Sequence, residues 1–127
     1  MNPVVHFEIP AKDPKRASAF YTEVFGWTIN QFPGFEYWSL GTTASDKNGM
    51  PSAPGAINGG MGKKGGMAPD SVTITISVTD IDAALSSIQK LGGKQQGKKR
   101  PVGDMGWSAY FTDTEGNLIG LWQNKAM

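Results

Sequence analysis

The sequence contains no cysteine and only one histidine, His6. The absence of cysteine excludes disulfide bonds, thiolate nucleophiles and zinc–thiolate sites. The 12 Lys and Arg residues nearly balance the 11 Asp and Glu residues, which leaves a net charge of +1. Such a balance gives no general attraction to nucleic acids or to membrane surfaces. Any mechanism that needs an imidazole must therefore use His6.

Long apolar segments are also missing. No run of residues approaches the length of a membrane span. The first residues, MNPVVHFEIP, lack the basic start and apolar core of a secretory signal. We therefore expect a soluble, cytoplasmic protein. The 127 residues are enough for one domain with a substantial core.

The amino-terminal segment has the pattern of a strand followed by a helix. Residues 3–10 alternate apolar and polar positions, which predicts a strand. Asp13 and Pro14 are typical of the start of a helix, and Gly26 is typical of its end. The helix between them carries an amphipathic stripe that consists of Ala17, Phe20, Tyr21, Val24 and Phe25.

The same pattern recurs 67 positions later. Residues 71–79 predict a strand, Asp80 caps a second helix, and Gly93 lies beyond the end of that helix. Five positions related by this offset are identical: Val5/Val72, Ile9/Ile76, Asp13/Asp80, Ala17/Ala84 and Gly26/Gly93. Further short strands are predicted at 27–32, 35–42, 55–61, 94–100, 106–112 and 117–123. The pattern indicates an α+β repeat of two βαβββ modules, about 1–62 and about 70–127. Parts of the segment 43–69, which is rich in Gly, Pro and Met, are expected to form a mobile loop.

Two such modules, opened by HFEIPAKDPKRASAFYTEVFGW and closed by DTEGNLIGLWQ, resemble the vicinal oxygen chelate superfamily. This superfamily includes glyoxalases, bleomycin-resistance proteins and extradiol dioxygenases. The resemblance covers essentially the whole chain, as a single domain of this type. It implies that each module curls its sheet around a shared cavity, with the helix outside, and that two chains form a homodimer. It does not fix the activity, because one fold hosts unrelated chemistries.

The resemblance also implies four positions at which a metal-dependent member would hold a divalent ion. His6 fills the first of these and is a good ligand. Its counterpart Thr73 is a poor ligand, Gly120 offers no donor where Glu is usual, and the amide of Asn58 binds transition metals weakly. Glu8, two residues from His6, is the remaining carboxylate candidate. We therefore expect no tightly bound metal and no other cofactor, with a divalent metal at His6 as the alternative.

The polar face of each first strand is expected to line the cavity, together with aromatic residues of later strands. The predicted lining consists of His6, Glu8, Tyr37, Asn58, Thr73, Thr75, Ser108, Tyr110, Gly120 and Trp122. Gly120 would leave room there for a ligand or for Trp122. His6 and Glu8 are also candidates for a catalytic acid–base pair, or for simple hydrogen bonding within the fold. The aromatic residues, including Trp38 and Trp107, favour a flat ligand if they face the cavity, and otherwise pack in the core or at a dimer interface.

Two other stretches invite a functional interpretation. The basic run Lys98–Pro101 is either an anion site or a solvated loop. The glycine-rich residues 59–66 lack the Lys-Ser/Thr ending of a phosphate-binding loop, which argues against a nucleotide site. Met50, Met61 and Met67 are adaptable apolar residues that suit a flexible lid or a partner surface.

Three functions remain open from the sequence. The first is a protein that binds a small, partly aromatic molecule in the cavity between the modules, without a complete metal site. The second is a metal-dependent lyase, isomerase or dioxygenase that uses His6 and Glu8. The third is an interaction module whose cavity is filled by its own aromatic side chains.

Overall fold

The computed structural model describes residues 1–66 and 68–125. This part of the chain contains two helices and eight strands. In chain order they are β1 (Val4–Ala11), α1 (Pro14–Phe25), β2 (Thr28–Gln31), β3 (Tyr37–Gly41), β4 (Gly59–Lys63), β5 (Thr73–Ser77), α2 (Ile81–Lys90), β6 (Lys94–Val102), β7 (Gly106–Thr112) and β8 (Leu118–Asn124). The predicted α+β class with two βαβββ modules is confirmed.

The chain forms two compact units, and the first unit is His6–Val72. Its strands follow the order β2-β3-β4-β1, with β4 parallel to β1 and antiparallel to β3. The buried core residues of this unit are Ala11, Leu40 and Met61. Side chains from β1, α1 and β2 pack against them, among them Phe7, Ile9 and Ala17.

The second unit combines Met1–Val5 with the chain from Thr73 onward. Its strand order is β5-β8-β7-β6, and β5 runs parallel to β8. The helix α2 covers one face of these strands through Ile81 and Leu85, which are 0% and 5% exposed. Strand side chains complete this core: Ala109, Phe111 and Leu121.

Both helices begin at the predicted caps. The carboxylate of Asp13 accepts a hydrogen bond from the backbone N–H of Arg16 at 3.2 Å, and that of Asp80 accepts one from Ala83 at 3.2 Å. Gly26 ends α1 with a φ of 73°, a left-handed conformation that favours glycine. Neither of the two helices in the described part of the chain is long and apolar enough to cross a bilayer. The cytoplasmic location stays a prediction.

The expected burial of the first strand of the second predicted module, residues 71–79, is wrong at its start. The alternation predicted that Val72 and Ile74 face the helix, but they are 69% and 42% exposed. Only Ile76 and Val78, further along the chain, pack against the core that includes α2. Alternation alone does not show how far along a strand its covering helix extends.

The glycine-rich strand of the first unit is also displaced. The strand predicted at 55–61 lies at Gly59–Lys63, because the residues before it hold the preceding loop: the Thr42 hydroxyl donates to the carbonyl of Ile57 at 2.6 Å. Met61 is fully buried in this strand, so its predicted role in a lid is wrong. Met50 is 57% exposed, and Met67 lies outside the described residues.

Candidate functional site

The strand β1 presents two different faces in the first unit. Phe7 and Ile9 pack into the core with Ala17 of α1. His6 and Glu8 alternate with them and therefore lie on the opposite face. Glu8 is only 7% exposed although it carries a carboxyl group. A buried carboxyl group requires polar partners, and these partners define the candidate site.

Tyr37 reaches this pair from β3, which is not adjacent to β1. The strand β4 lies between them, with Gly60 opposite Glu8 on one side and opposite Ser39 on the other. A Cβ atom at Gly60 would overlap the Tyr37 hydroxyl. The tyrosine ring thus crosses β4 where the strand has no side chain. Gly60 is required by this close approach.

A chain of hydrogen bonds links the three polar residues. The Tyr37 hydroxyl donates to the Glu8 carboxylate, and its oxygen lies 3.3 Å from Nε2 of His6. A neutral tyrosine has one proton to donate. Because that proton goes to Glu8, Nε2 of His6 must be the donor to the Tyr37 oxygen. The geometry assigns the Nε2–H tautomer to His6, which leaves Nδ1 as an acceptor.

Burial and charge set the protonation states of Tyr37 and His6. Burial raises the pKa of Tyr37 far above its ordinary value, and the charge of Glu8 and the hydrogen bond to it act in the same direction. Burial also lowers the pKa of His6 below 6.5, an effect that the nearby Glu8 carboxylate partly opposes. At neutral pH, therefore, Tyr37 keeps its proton and His6 is uncharged. The site offers neutral hydrogen-bonding groups beside a buried carboxylate.

The donor set does not fit a tightly held transition metal. Such a site needs three or more protein ligands, and His6 with Glu8 supplies two. Within residues 1–66 and 68–125, no three side chains of His, Cys, Asp or Glu converge to hold an ion. In addition, Nε2 of His6 already faces Tyr37. The expectation that this chain holds no metal tightly stays a prediction.

The second unit gathers several predicted site residues on one face of its sheet. Thr75, Gly120 and Tyr110 are directly opposite one another on neighbouring strands, and Ser108 pairs with Trp122 two positions along. The intervening residues, such as Leu121, face the α2 core. The predicted polar and aromatic face is therefore formed within this unit by Thr73, Thr75, Ser108, Tyr110, Gly120 and Trp122.

The expectation that Gly120 leaves room for a ligand is wrong. A Cβ atom there would lie 2.8 Å from the Thr75 hydroxyl oxygen and 3.3 Å from the Tyr110 ring. Those two side chains close over the glycine. Thr73 and Thr75 are 1% and 7% exposed. The missing side chain thus permits close packing of three strands.

Asn58 acts mainly as an anchor for the loop that precedes β4. Its amide oxygen accepts from the backbone N–H of Thr42 at 2.8 Å, and its amide nitrogen donates to the Ser45 hydroxyl at 3.2 Å. Its role in lining a cavity stays a prediction. Among the aromatic residues, Trp38 and Trp107 pack against the cores of their units. For these two residues the structure agrees with the alternative of packing in the core.

The sequence carried one signal for the site that went unused. Glycine inside a strand often marks a close approach, and Gly59, Gly60 and Gly62 lie in a single strand. A Cβ atom at Gly59 would come within 2.7 Å of the Phe7 ring, and one at Gly62 would overlap Ala68. Packing therefore requires glycine at these positions of the glycine-rich segment 59–66. Gly60 is the member of this set that shapes the polar site.

Comparison with known proteins identifies the family. A family model for the bleomycin resistance protein-like N-terminal region matches residues 4–40. A glyoxylase-like domain-containing protein from Didymella fabae is 33% identical over 118 residues, which cover 90% of this chain and 88% of that protein. The chain belongs to the vicinal oxygen chelate superfamily.

A solved structure is similar in fold, and two further curated relatives are longer than this chain. A glyoxalase/bleomycin resistance protein/dioxygenase superfamily member from Vibrio splendidus has a TM-score of 0.65 at 14% identity, over 98% of this chain and 100% of that chain. Proteins from Mycobacterium bovis and Mycobacterium tuberculosis, both named CFP32 and described as candidate glyoxylases, are 29% identical over 91% of this chain. The chain spans only 43% of the length of these two curated relatives.

Proposed function

We propose that this superfamily member binds a small, partly aromatic molecule at the face formed by His6, Tyr37 and Glu8, without a tightly held metal. The observation that carries the proposal is the hydrogen-bonded chain from His6 through Tyr37 to Glu8. A buried polar chain with fixed proton positions suits the orientation of a ligand, because its donors and acceptors need no rearrangement. All three residues fall within the segment that matches the bleomycin-resistance model.

Aromatic side chains next to Tyr37 favour a flat ligand. The ring of Phe32 packs on Tyr37 with a centroid separation of 5.7 Å, and Phe32 is 44% exposed. Phe35 is 57% exposed in the same β2–β3 connection. Small-molecule sites combine apolar walls with a few polar groups that fix orientation.

The alternative is a metal-dependent enzyme, and two of the relatives are described as candidate glyoxylases. In that case His6 and Glu8 would need further ligands from water or substrate. Metal analysis of untagged protein distinguishes the two functions. One equivalent of a divalent ion, lost in His6→Ala, would support the enzyme. A metal-free protein that binds ligand supports the proposal.

The experiment is a melting-temperature screen against aromatic metabolites and drugs that carry hydrogen-bonding groups. Ligands that bind the folded state raise the melting temperature. We expect hits for the wild type, with about tenfold weaker binding in His6→Ala and in Tyr37→Phe. Lys94→Ala, an exposed residue on strand β6 of the second unit, is the control and should match the wild type. Hits that are insensitive to both site variants would overturn the proposal. We also propose that the chain forms a homodimer and is located in the cytoplasm.

A further inference from the structure

The imidazole ring of His6 has one nitrogen inside the hydrogen-bonded chain and one outside it. Nε2 faces the Tyr37 hydroxyl at 3.3 Å. Nδ1 has no hydrogen-bond partner within residues 1–66 and 68–125. Among the same residues, no buried side-chain nitrogen or oxygen atom lacks a partner. Nδ1 is therefore accessible from solvent, and a bound molecule can reach it.

The hydrogen-bonded chain makes Nδ1 an acceptor. The single proton of the Tyr37 hydroxyl goes to the Glu8 carboxylate. Nε2 of His6 therefore carries the proton that the Tyr37 oxygen accepts. Since burial lowers the pKa of His6, the ring is neutral at pH 7, and its second nitrogen has a lone pair and no proton. A molecule that contacts Nδ1 must donate a hydrogen bond to it.

The charge of Glu8 selects against anions at this nitrogen. The carboxylate is close enough to His6 to raise the pKa of the ring, in opposition to burial, and Glu8 is only 7% exposed. Like charges repel more strongly where little water separates them. A carboxylate or phosphate beside Nδ1 would meet this repulsion and would also lack the proton that Nδ1 accepts. A phenol hydroxyl or an aromatic amine avoids both problems.

We propose that the molecule bound at this face donates a hydrogen bond to Nδ1 of His6 and carries no negative charge there. Phenols and aromatic amines then bind in preference to aromatic ethers and aromatic carboxylates. This specificity rests on the function proposed above and narrows it from aromatic molecules in general to aromatic hydrogen-bond donors. Tyr37 acts as a positioning residue, because it fixes the proton of His6 at Nε2.

Nitrogen-15 NMR of the imidazole tests the position of the proton, because the chain has a single histidine. The free protein at neutral pH should show a protonated Nε2 and an unprotonated Nδ1. Tyr37→Phe removes the acceptor of the Nε2 proton and should give a mixture of the two tautomers. Tyr21→Phe, which removes a hydroxyl group from α1, is the matched control and should leave the tautomer unchanged. A wild type protonated at Nδ1 would overturn the proposal.

Three probes that share one flat ring system test the class of ligand. They are naphthol, methoxynaphthalene and naphthoate, each substituted at the same ring position. Naphthol should shift the Nδ1 signal of His6 and should bind the wild type about tenfold more tightly than either of the other probes, because only naphthol donates a hydrogen bond. In His6→Ala this preference should vanish.

The probes separate a failure of this specificity from a failure of the proposed function. Equal binding of naphthol and methoxynaphthalene that still depends on His6 would overturn the specificity and leave an aromatic-binding protein. Tighter binding of naphthoate would overturn it as well, and would show that the charge of Glu8 does not act on the ligand. If none of the three probes binds, the proposed function fails and the specificity fails with it.

Discussion

Nε2 of His6 lies 3.3 Å from the hydroxyl of Tyr37, although one residue is on β1 and the other on β3. Tyr37 reaches His6 across the intervening strand β4, because Gly60 has no side chain where the tyrosine ring crosses. The polar site therefore depends on a residue that takes no part in its chemistry. This dependence leads to the first prediction.

Gly60→Ala should displace Tyr37 and lower the free energy of unfolding by about 1–3 kcal/mol, the usual cost of overpacking a core. Urea unfolding measures the loss. In a Tyr37→Ala background the same substitution should cost much less, because the ring that the new methyl group meets is gone. Equal costs in both backgrounds would show that Tyr37 does not cross β4 at this point.

The second prediction concerns the pH dependence of stability. Burial lowers the pKa of His6 in the folded protein below 6.5, so the unfolded chain binds a proton there more readily than the folded one. The contribution of neutral His6 to stability is therefore complete above about pH 6.5 and is lost as the pH falls below that value. Urea unfolding between pH 5 and 8 should show this loss in the wild type. His6→Gln should not show this loss of stability at low pH. The same loss in the variant as in the wild type would contradict the prediction.

A third prediction addresses the turn before β8. The backbone N–H groups of Glu115 and Asn117 and the side-chain amide of Asn117 all donate to Asp113, and these bonds lower the pKa of its carboxyl group. The turn should be stable above pH 3.8, the ordinary value, and should lose this support as the pH falls through the lowered pKa. Carbon-13 NMR of the carboxyl group measures the titration. Asn117→Ala should move the pKa back toward its ordinary value, and an unchanged titration would argue against the turn geometry.

Gly120 leads to the fourth prediction. The position usually carries Glu in metal-dependent members that the chain resembles, so Gly120→Glu tests whether a carboxylate alone completes a site. Because Thr75 and Tyr110 close over the glycine, we expect a loss of about 1–3 kcal/mol of stability and no bound metal. Gly120→Gln, with the same bulk and no charge, is the control and should lose a similar amount. A variant with wild-type stability that binds one equivalent of zinc would contradict the packing.

Local patterns predicted much of the fold and less of the site. The caps Asp13 and Asp80 and the strand alternation follow from short-range chemistry, and the structure confirms both helix starts. The exposure of Phe20 and Val72 did not follow, because burial depends on where other elements pack. His6 and Glu8 were recognised from their shared face, whereas the contact with Tyr37 arises from strand order. Gly60 lies in the strand predicted at 55–61, but local patterns do not show that a tyrosine ring from the next strand crosses there.

The most direct test of the account is ligand binding after metal removal. Protein dialysed against a strong chelator is titrated with the best ligand of the aromatic screen, and the melting temperature is followed for the wild type and His6→Ala. We expect the shift to persist in the chelated wild type and to be lost in His6→Ala. A shift that vanishes with the chelator and returns with one equivalent of a divalent ion would contradict it.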